Sequence, residues 1–126
     1  MRTWYSNVEL GVDNLPENVS IARLWNEVLL DAIRGDFARP TVHARNLFHT
    51  SIALFDSWAV YNNIARPYFI GNTVNGFTSN LNEFTPLEID DISQKKTMSY
   101  AAYRLLMHRF KNSPGADSTL PRLQRL

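Results

Sequence analysis

The feature that most constrains this chain is the stretch from Ser20 to Asn62, SIARLWNEVLLDAIRGDFARPTVHARNLFHTSIALFDSWAVYN, which reads as two consecutive buried helices joined by a short Arg-Pro turn. In its first half Ile21, Leu24, Trp25, Val28, Leu29, Ala32 and Ile33 recur at steps of three and four, an apolar stripe down one side of a helix. Upstream, Asn14, with Pro16 just inside and Glu17 three residues on, has the pattern of a capping box. Gly35 is a natural stop. Arg23, Glu27, Asp31 and Arg34 lie opposite the stripe and predict a solvated face.

The pattern changes after Pro40, which suits the first position of a new helix. From Thr41 to about Tyr61, Leu47, Phe48, Ile52, Leu54, Phe55, Trp58, Val60 and Tyr61 cover most of the circumference, with Ala44, Ala53 and Ala59 filling in. A helix apolar nearly all round is expected at the centre of a bundle, covered on several sides. The expectation is therefore a buried Phe55, where a carboxylate would unfold the chain. Covering such a helix calls for further sequence or a partner subunit.

Residues 62–86 are rich in Asn and Gly and predict an ordered loop with aromatic anchors, with weak pairing around Tyr68-Phe69-Ile70. A third helix is expected from Thr85-Pro86-Leu87-Glu88, a capping box with proline at its first position. Glu88, Asp90 and Asp91 in its first turn and His108, Arg109 and Lys111 in its last match the helix dipole. Its buried side is expected to hold Ile89, Ile92, Tyr100, Tyr103, Leu106, Met107 and Phe110, with a stop near Asn112. Leu120, Leu123 and Leu126 resume an apolar pattern, read as a further helix that the chain cuts short. The fold class expected is all-α: residues 1–126 form one N-terminal helical domain or fragment, three main helices and a long aromatic-anchored loop, part of a larger helical bundle.

Composition narrows the function classes. A net charge of +1, with the cations scattered, leaves no basic footprint for nucleic acid or anionic lipid. Without cysteine there is no disulfide and no thiolate-ligated metal. No apolar run approaches the roughly 20 residues of a membrane span, and the opening residues lack a signal-peptide core, so the chain is expected to be soluble. Asn18-Val19-Ser20 matches a glycosylation sequon by chance.

Chemistry-bearing patterns are sparse. His43 and His49 stand six residues apart, about 240° around a helix, whereas a helix-borne zinc pair wants a spacing of four. Arg45, His49 and Asp56 fall along one stripe of the second helix. Arg45 should favour neutral imidazole at His49, while Asp56 lies about 10 Å further along. These three read as a polar seam satisfied by neighbouring elements in preference to a catalytic group. Asn46, Thr50, Ala53 and Ser57 form a second stripe, small enough for close helix approach. Asp90 and Asp91 diverge by about 100° and read as dipole-complementing residues. Neither a nucleotide-binding glycine loop nor a GxSxG elbow occurs.

The Ser20–Asn62 stretch, continued by ARPYFIGNTVNGFT (65–78) and MSYAAYRLLMHRFKNSPGA (98–116), resembles the N-terminal helical region of the bacterial vanadium-dependent haloperoxidase-like family, relatives of the type 2 phosphatidic acid phosphatases. The resemblance implies a helical protein that, at full length, binds vanadate and uses peroxide to oxidise halide. It also implies a downstream catalytic region as the missing partner. That family supplies its oxyanion cradle through a Lys followed by Arg-Pro, a Pro-Ser-Gly-His segment, and an Arg with a His six residues on. Here the positions seven before Arg39-Pro40 and Arg66-Pro67 are Ala32 and Ala59, Ser113-Pro114-Gly115 lacks the His, and no Arg has a His six residues later. No catalytic, cofactor or metal residue is carried over. The expected roles are a scaffold portion, catalytically incomplete, or an autonomous helical module that dimerises through its over-apolar second helix.

Overall fold

The computed structural model describes Val12, residues 15–79 and residues 90–126. Four helices make up the fold: α1 (Ile21–Arg34), α2 (Pro40–Ala59), α3 (Asp91–Phe110) and α4 (Ala116–Arg125). Between α2 and α3 a minimal antiparallel ribbon pairs β1 (Thr73–Val74) with β2 (Phe77–Thr78). The chain is all-α, with one helix more than the three main ones expected. No described helix is long and apolar enough to cross a membrane.

Helix α1 begins later than its sequence suggests. Asn14 lies outside the described residues, and Pro16 and Glu17 precede the helix; Ser20 is the N-cap, its hydroxyl accepting the Arg23 N–H at 3.2 Å. That hydroxyl satisfies one of the free amides of the first turn, which Pro16 has no side chain to do. Trp25, Val28, Leu29 and Ala32 are buried as the stripe predicted. Asp31, expected in solvent, is buried too. Its carboxylate receives the Arg34 guanidinium at 2.6 Å and the backbone N–H of Val12 at 3.1 Å, which stabilises a charge that would be costly there alone.

The central helix is α3, which has the most extensive contacts with the other helices, and not α2 as expected. Its inner line is Met98, Ala102, Leu106 and Phe110, a four-residue ridge whose small Ala102 permits close approach. Of the side chains expected inside, Ile92 and Tyr100 are instead 64% and 60% exposed. The proposed cap at Thr85 and the buried Ile89 lie outside the described residues; the described helix starts at Asp91, with the Asp90 carboxylate accepting the Ser93 N–H at 2.6 Å. The Ser93 hydroxyl first, and then this N–H, hold the Asp90 carboxyl below its ordinary value.

Helix α2 is turned the other way round from its sequence reading. Its buried residues are His43, Asn46, Thr50, Leu54, Asp56, Ser57 and Ala59, mostly polar or small. Leu47, Phe48, Phe55 and Trp58 are at least one-third exposed, Phe55 at 43%. The cause is geometric. Asn46, Thr50 and Ser57 share one side, and Asn46 bonds α3 directly through Arg109. Small side chains on this side let α2 lie on α3, where Phe55 or Trp58 would hold the helices apart. The helix therefore gives only Leu54 to the main core, with Trp25, Leu29, Met98, Leu106, Phe110 and Leu123 supplying much of the rest.

The termini of the bundle meet at two glycines. Gly115, ahead of α4, donates its N–H to the Gly35 carbonyl at 2.8 Å. Gly35, at the end of α1, has φ −88° and stops the helix without a left-handed turn. A Cβ on Gly115 would lie 2.6 Å from the Gly35 oxygen, so only glycine admits this backbone contact. This contact seats α4, which places Leu123 in the core. Gly115→Ala should therefore lower stability by about 1–3 kcal/mol, the usual range for overpacking. Denaturant unfolding checks this; an unchanged midpoint would show that α4 docks by another route.

Candidate functional site

Two polar clusters flank the α2–α3 contact, and each grows from the need to satisfy a buried group. The first is a hydrogen-bonded chain that starts at Arg109 in the last turn of α3. Its Nη1–H donates to Asn46 Oδ1 at 3.1 Å. The Asn46 amide nitrogen faces His43 Nδ1 at 3.5 Å, and His43 Nε2 lies 2.8 Å from the Phe37 carbonyl. A carbonyl only accepts, so His43 carries its proton on Nε2 and accepts at Nδ1. Asp36 Oδ2 stands 3.8 Å from the same Nε2 and receives the Arg39 guanidinium at 2.9 Å. This chain pins the α1–α2 turn to α3.

Arg109 also donates Nη2–H to His49 Nδ1 at 2.6 Å. A guanidinium is never an acceptor at neutral pH, so His49 is neutral at Nδ1 and holds its proton on Nε2. Partial burial, then the Arg109 charge, then Arg45 push the His49 pKa below its ordinary 6.5. The imidazole is a fixed donor. Its single lone pair is already used, so it has none left to act as a base.

The second cluster centres on Asp56, buried at 3% exposure beneath the 62–72 loop. Its Oδ1 accepts the Tyr68 N–H at 2.7 Å, and its Oδ2 accepts those of Phe69 and Ile70 at 2.9 and 3.1 Å. Three consecutive amides on one carboxylate hold this segment as a non-paired arch, where weak strand pairing was expected. Asn62 starts the loop by accepting the Ile64 and Ala65 amides, and Asn72 closes it by donating to the Pro67 carbonyl at 2.8 Å. The β1–β2 turn is Asn75-Gly76, both with positive φ, 51° and 82°, as a two-residue hairpin requires.

The arch, the ribbon, α2 and α3 together enclose a groove of about 690 Å³. Phe48, Ile52, Tyr68, Phe77 and Leu105 supply apolar walls; His49 and Arg109 supply polar lining, and so does the fully engaged Asp56. Arg45, His49 and Asp56, the seam expected on α2, are thus not one site. Arg45 is exposed, His49 pairs with α3, and Asp56 serves the loop. Arg109 and Asn46 were read only as a dipole-matching cation and a packing residue. Asn46 and His49 sit three apart on α2, a pair of acceptors that could have signalled a guanidinium partner.

Among the described residues no three His, Cys, Asp or Glu side chains gather as metal ligands, and His43 and His49 serve different partners. Comparison of the chain with protein-family models, curated proteins and solved structures gives no match.

Replacing Asp56 with Asn should cost about 1–3 kcal/mol, the range for leaving buried donors unpaired. It should also speed hydrogen exchange at Tyr68, Phe69 and Ile70, whereas unaltered exchange would mean the arch holds itself. Arg109→Met should raise the His49 titration midpoint, followed by imidazole proton NMR; no upward shift would remove the guanidinium as a cause. The sign for stability follows from linkage. With the folded pKa below 6.5, the unfolded chain binds more protons in between, so the His49 contribution is full above 6.5 and lost as pH falls toward the folded value.

Proposed function

We propose that this chain is a helical scaffold unit of a vanadium haloperoxidase-like protein, catalytically incomplete by itself, that presents the outer face of α2 to the helices carrying the vanadate site. The observation that carries this reading is the uncovered row Leu47, Phe55 and Trp58, at 41%, 43% and 36% exposure, within about 80° of one another around α2. Large apolar side chains aligned on a helix face favour burial against a further element. The likeness of residues 20–62, 65–78 and 98–116 to the family's opening helices supplies the identity of that element.

The two histidines of α2 do not fit vanadate themselves. A His that bonds vanadium needs a free lone pair, and the lone pair of His49 is held by Arg109 while that of His43 faces Asn46. Oxyanion chemistry is therefore assigned to the downstream region, and this chain supplies packing.

Extending the reading frame past the codon for Leu126 tests the proposal. The expected frame contains the Lys/Arg-Pro, Pro-Ser-Gly-His and Arg/His elements, and its product brominates an organic acceptor with vanadate, peroxide and bromide while residues 1–126 alone do not. Vanadate-dependent bromination by residues 1–126, or a frame closing without those elements, overturns it. In the latter case a concentration-dependent dimer seen by sedimentation would instead make a second copy the cover for Phe55 and Trp58.

A further inference from the structure

The groove between α2, the 68–77 segment and α3 lies on a different side of α2 from Leu47, Phe55 and Trp58. Of its lining residues Phe48 borders that row, about 20° from Phe55, while His49, Ile52 and Asp56 lie about 60–120° beyond Phe55 around the helix. Its two cationic or donor groups are incompletely used. Arg109 has five N–H donors, and the two seen in use go to neutral acceptors, Asn46 and His49. It makes no ion pair among the described residues. His49 is forced by Arg109 to keep its proton on Nε2, which has no acceptor among the described residues. A partly buried guanidinium that meets only neutral groups is short of its natural counter-charge.

We propose that this groove binds a free apolar monocarboxylate of medium-chain length, its carboxylate on the Arg109 guanidinium and its chain between Ile52, Tyr68, Phe77 and Leu105. A carboxylate supplies the counter-charge that this guanidinium lacks, in a charge-assisted hydrogen bond. A single cation in the lining suits a monoanion better than a phosphate dianion. The walls beyond it are aliphatic and aromatic, and about 690 Å³ falls within the ~300–1,000 Å³ of small-molecule sites. Asp56, the one carboxylate in the lining, already accepts three amides, so its charge is stabilised by the loop wall and leaves Arg109 to the ligand. This site is independent of whatever covers the outer face of α2, and either assignment can fail without the other.

The test is titration of the 126-residue chain with decanoate, well below its micellisation, by calorimetry and NMR. Saturable single-site binding is expected, with resonances of His49, Ile52 and Leu105 moving together. Decanol and acetate, lacking the charge and the chain respectively, should bind at least tenfold more weakly. Arg109→Met should weaken decanoate at least tenfold; should that variant lose its fold, Leu105→Trp, which fills the groove and leaves the guanidinium in place, should do the same. Decanol binding as tightly as decanoate, shifts confined to Phe55 and Trp58, no saturable binding below millimolar, or unchanged affinity in the folded variants would each overturn the proposal.

Discussion

Everything in this fold depends on how α2 lies against α3. The contact is made by the small and polar side of α2, Asn46, Thr50 and Ser57, against the helix that carries Ala102, Leu106 and Phe110. Close backbone approach is what that side offers, and close approach brings Asn46 and His49 within reach of Arg109. Once α2 is rotated this way, two consequences are unavoidable. Asp56 faces the following loop and organises it, and the large apolar residues of α2 are left on the outside.

That rotation is unusual in energetic terms, because it trades apolar burial for hydrogen bonds. Asn46 and His43 are hydrogen-bonded and His49 Nδ1 is held by Arg109, so the helix contact itself carries little desolvation penalty. Thr50 Oγ1 is the exception, buried without a partner. The apolar core is built elsewhere, chiefly from α1 and α3 with Leu123 of α4 closing it. The outcome is a unit with a finished core on one side of α3 and a helix on the other whose aromatic face is still uncovered.

Much of the architecture was legible in the chain. The stripe from Ile21 to Ile33 gave α1 its buried face, Pro40 marked the first position of α2, and α3 ends at Phe110 with Lys111 as its cap, close to the expected stop near Asn112. The all-α class follows from those elements. What could not be read was the rotation of α2. Its apolar residues cover most of the circumference, so periodicity selects no face, and the choice fell to partners distant in sequence. Arg109 is 63 residues from Asn46, and nothing local couples them. The Gly115–Gly35 contact is hidden for the same reason, since each glycine by itself reads as a turn residue. Arg45, His49 and Asp56 share one stripe of α2 by their spacing, yet position on a helix says nothing about which element will cover it.

The absence of cysteine from the chain allows the orientation of α2 to be measured directly. Single cysteines placed at Phe55 and at Thr50 can be labelled with a maleimide under native conditions. If the small polar side faces α3, the thiol at position 55 of the monomer reacts near its unfolded rate and the thiol at position 50 is strongly protected. Protection at 55 with rapid labelling at 50 would mean α2 packs by its aromatic face, and the arrangement of Arg109, His49 and the groove would fall with it.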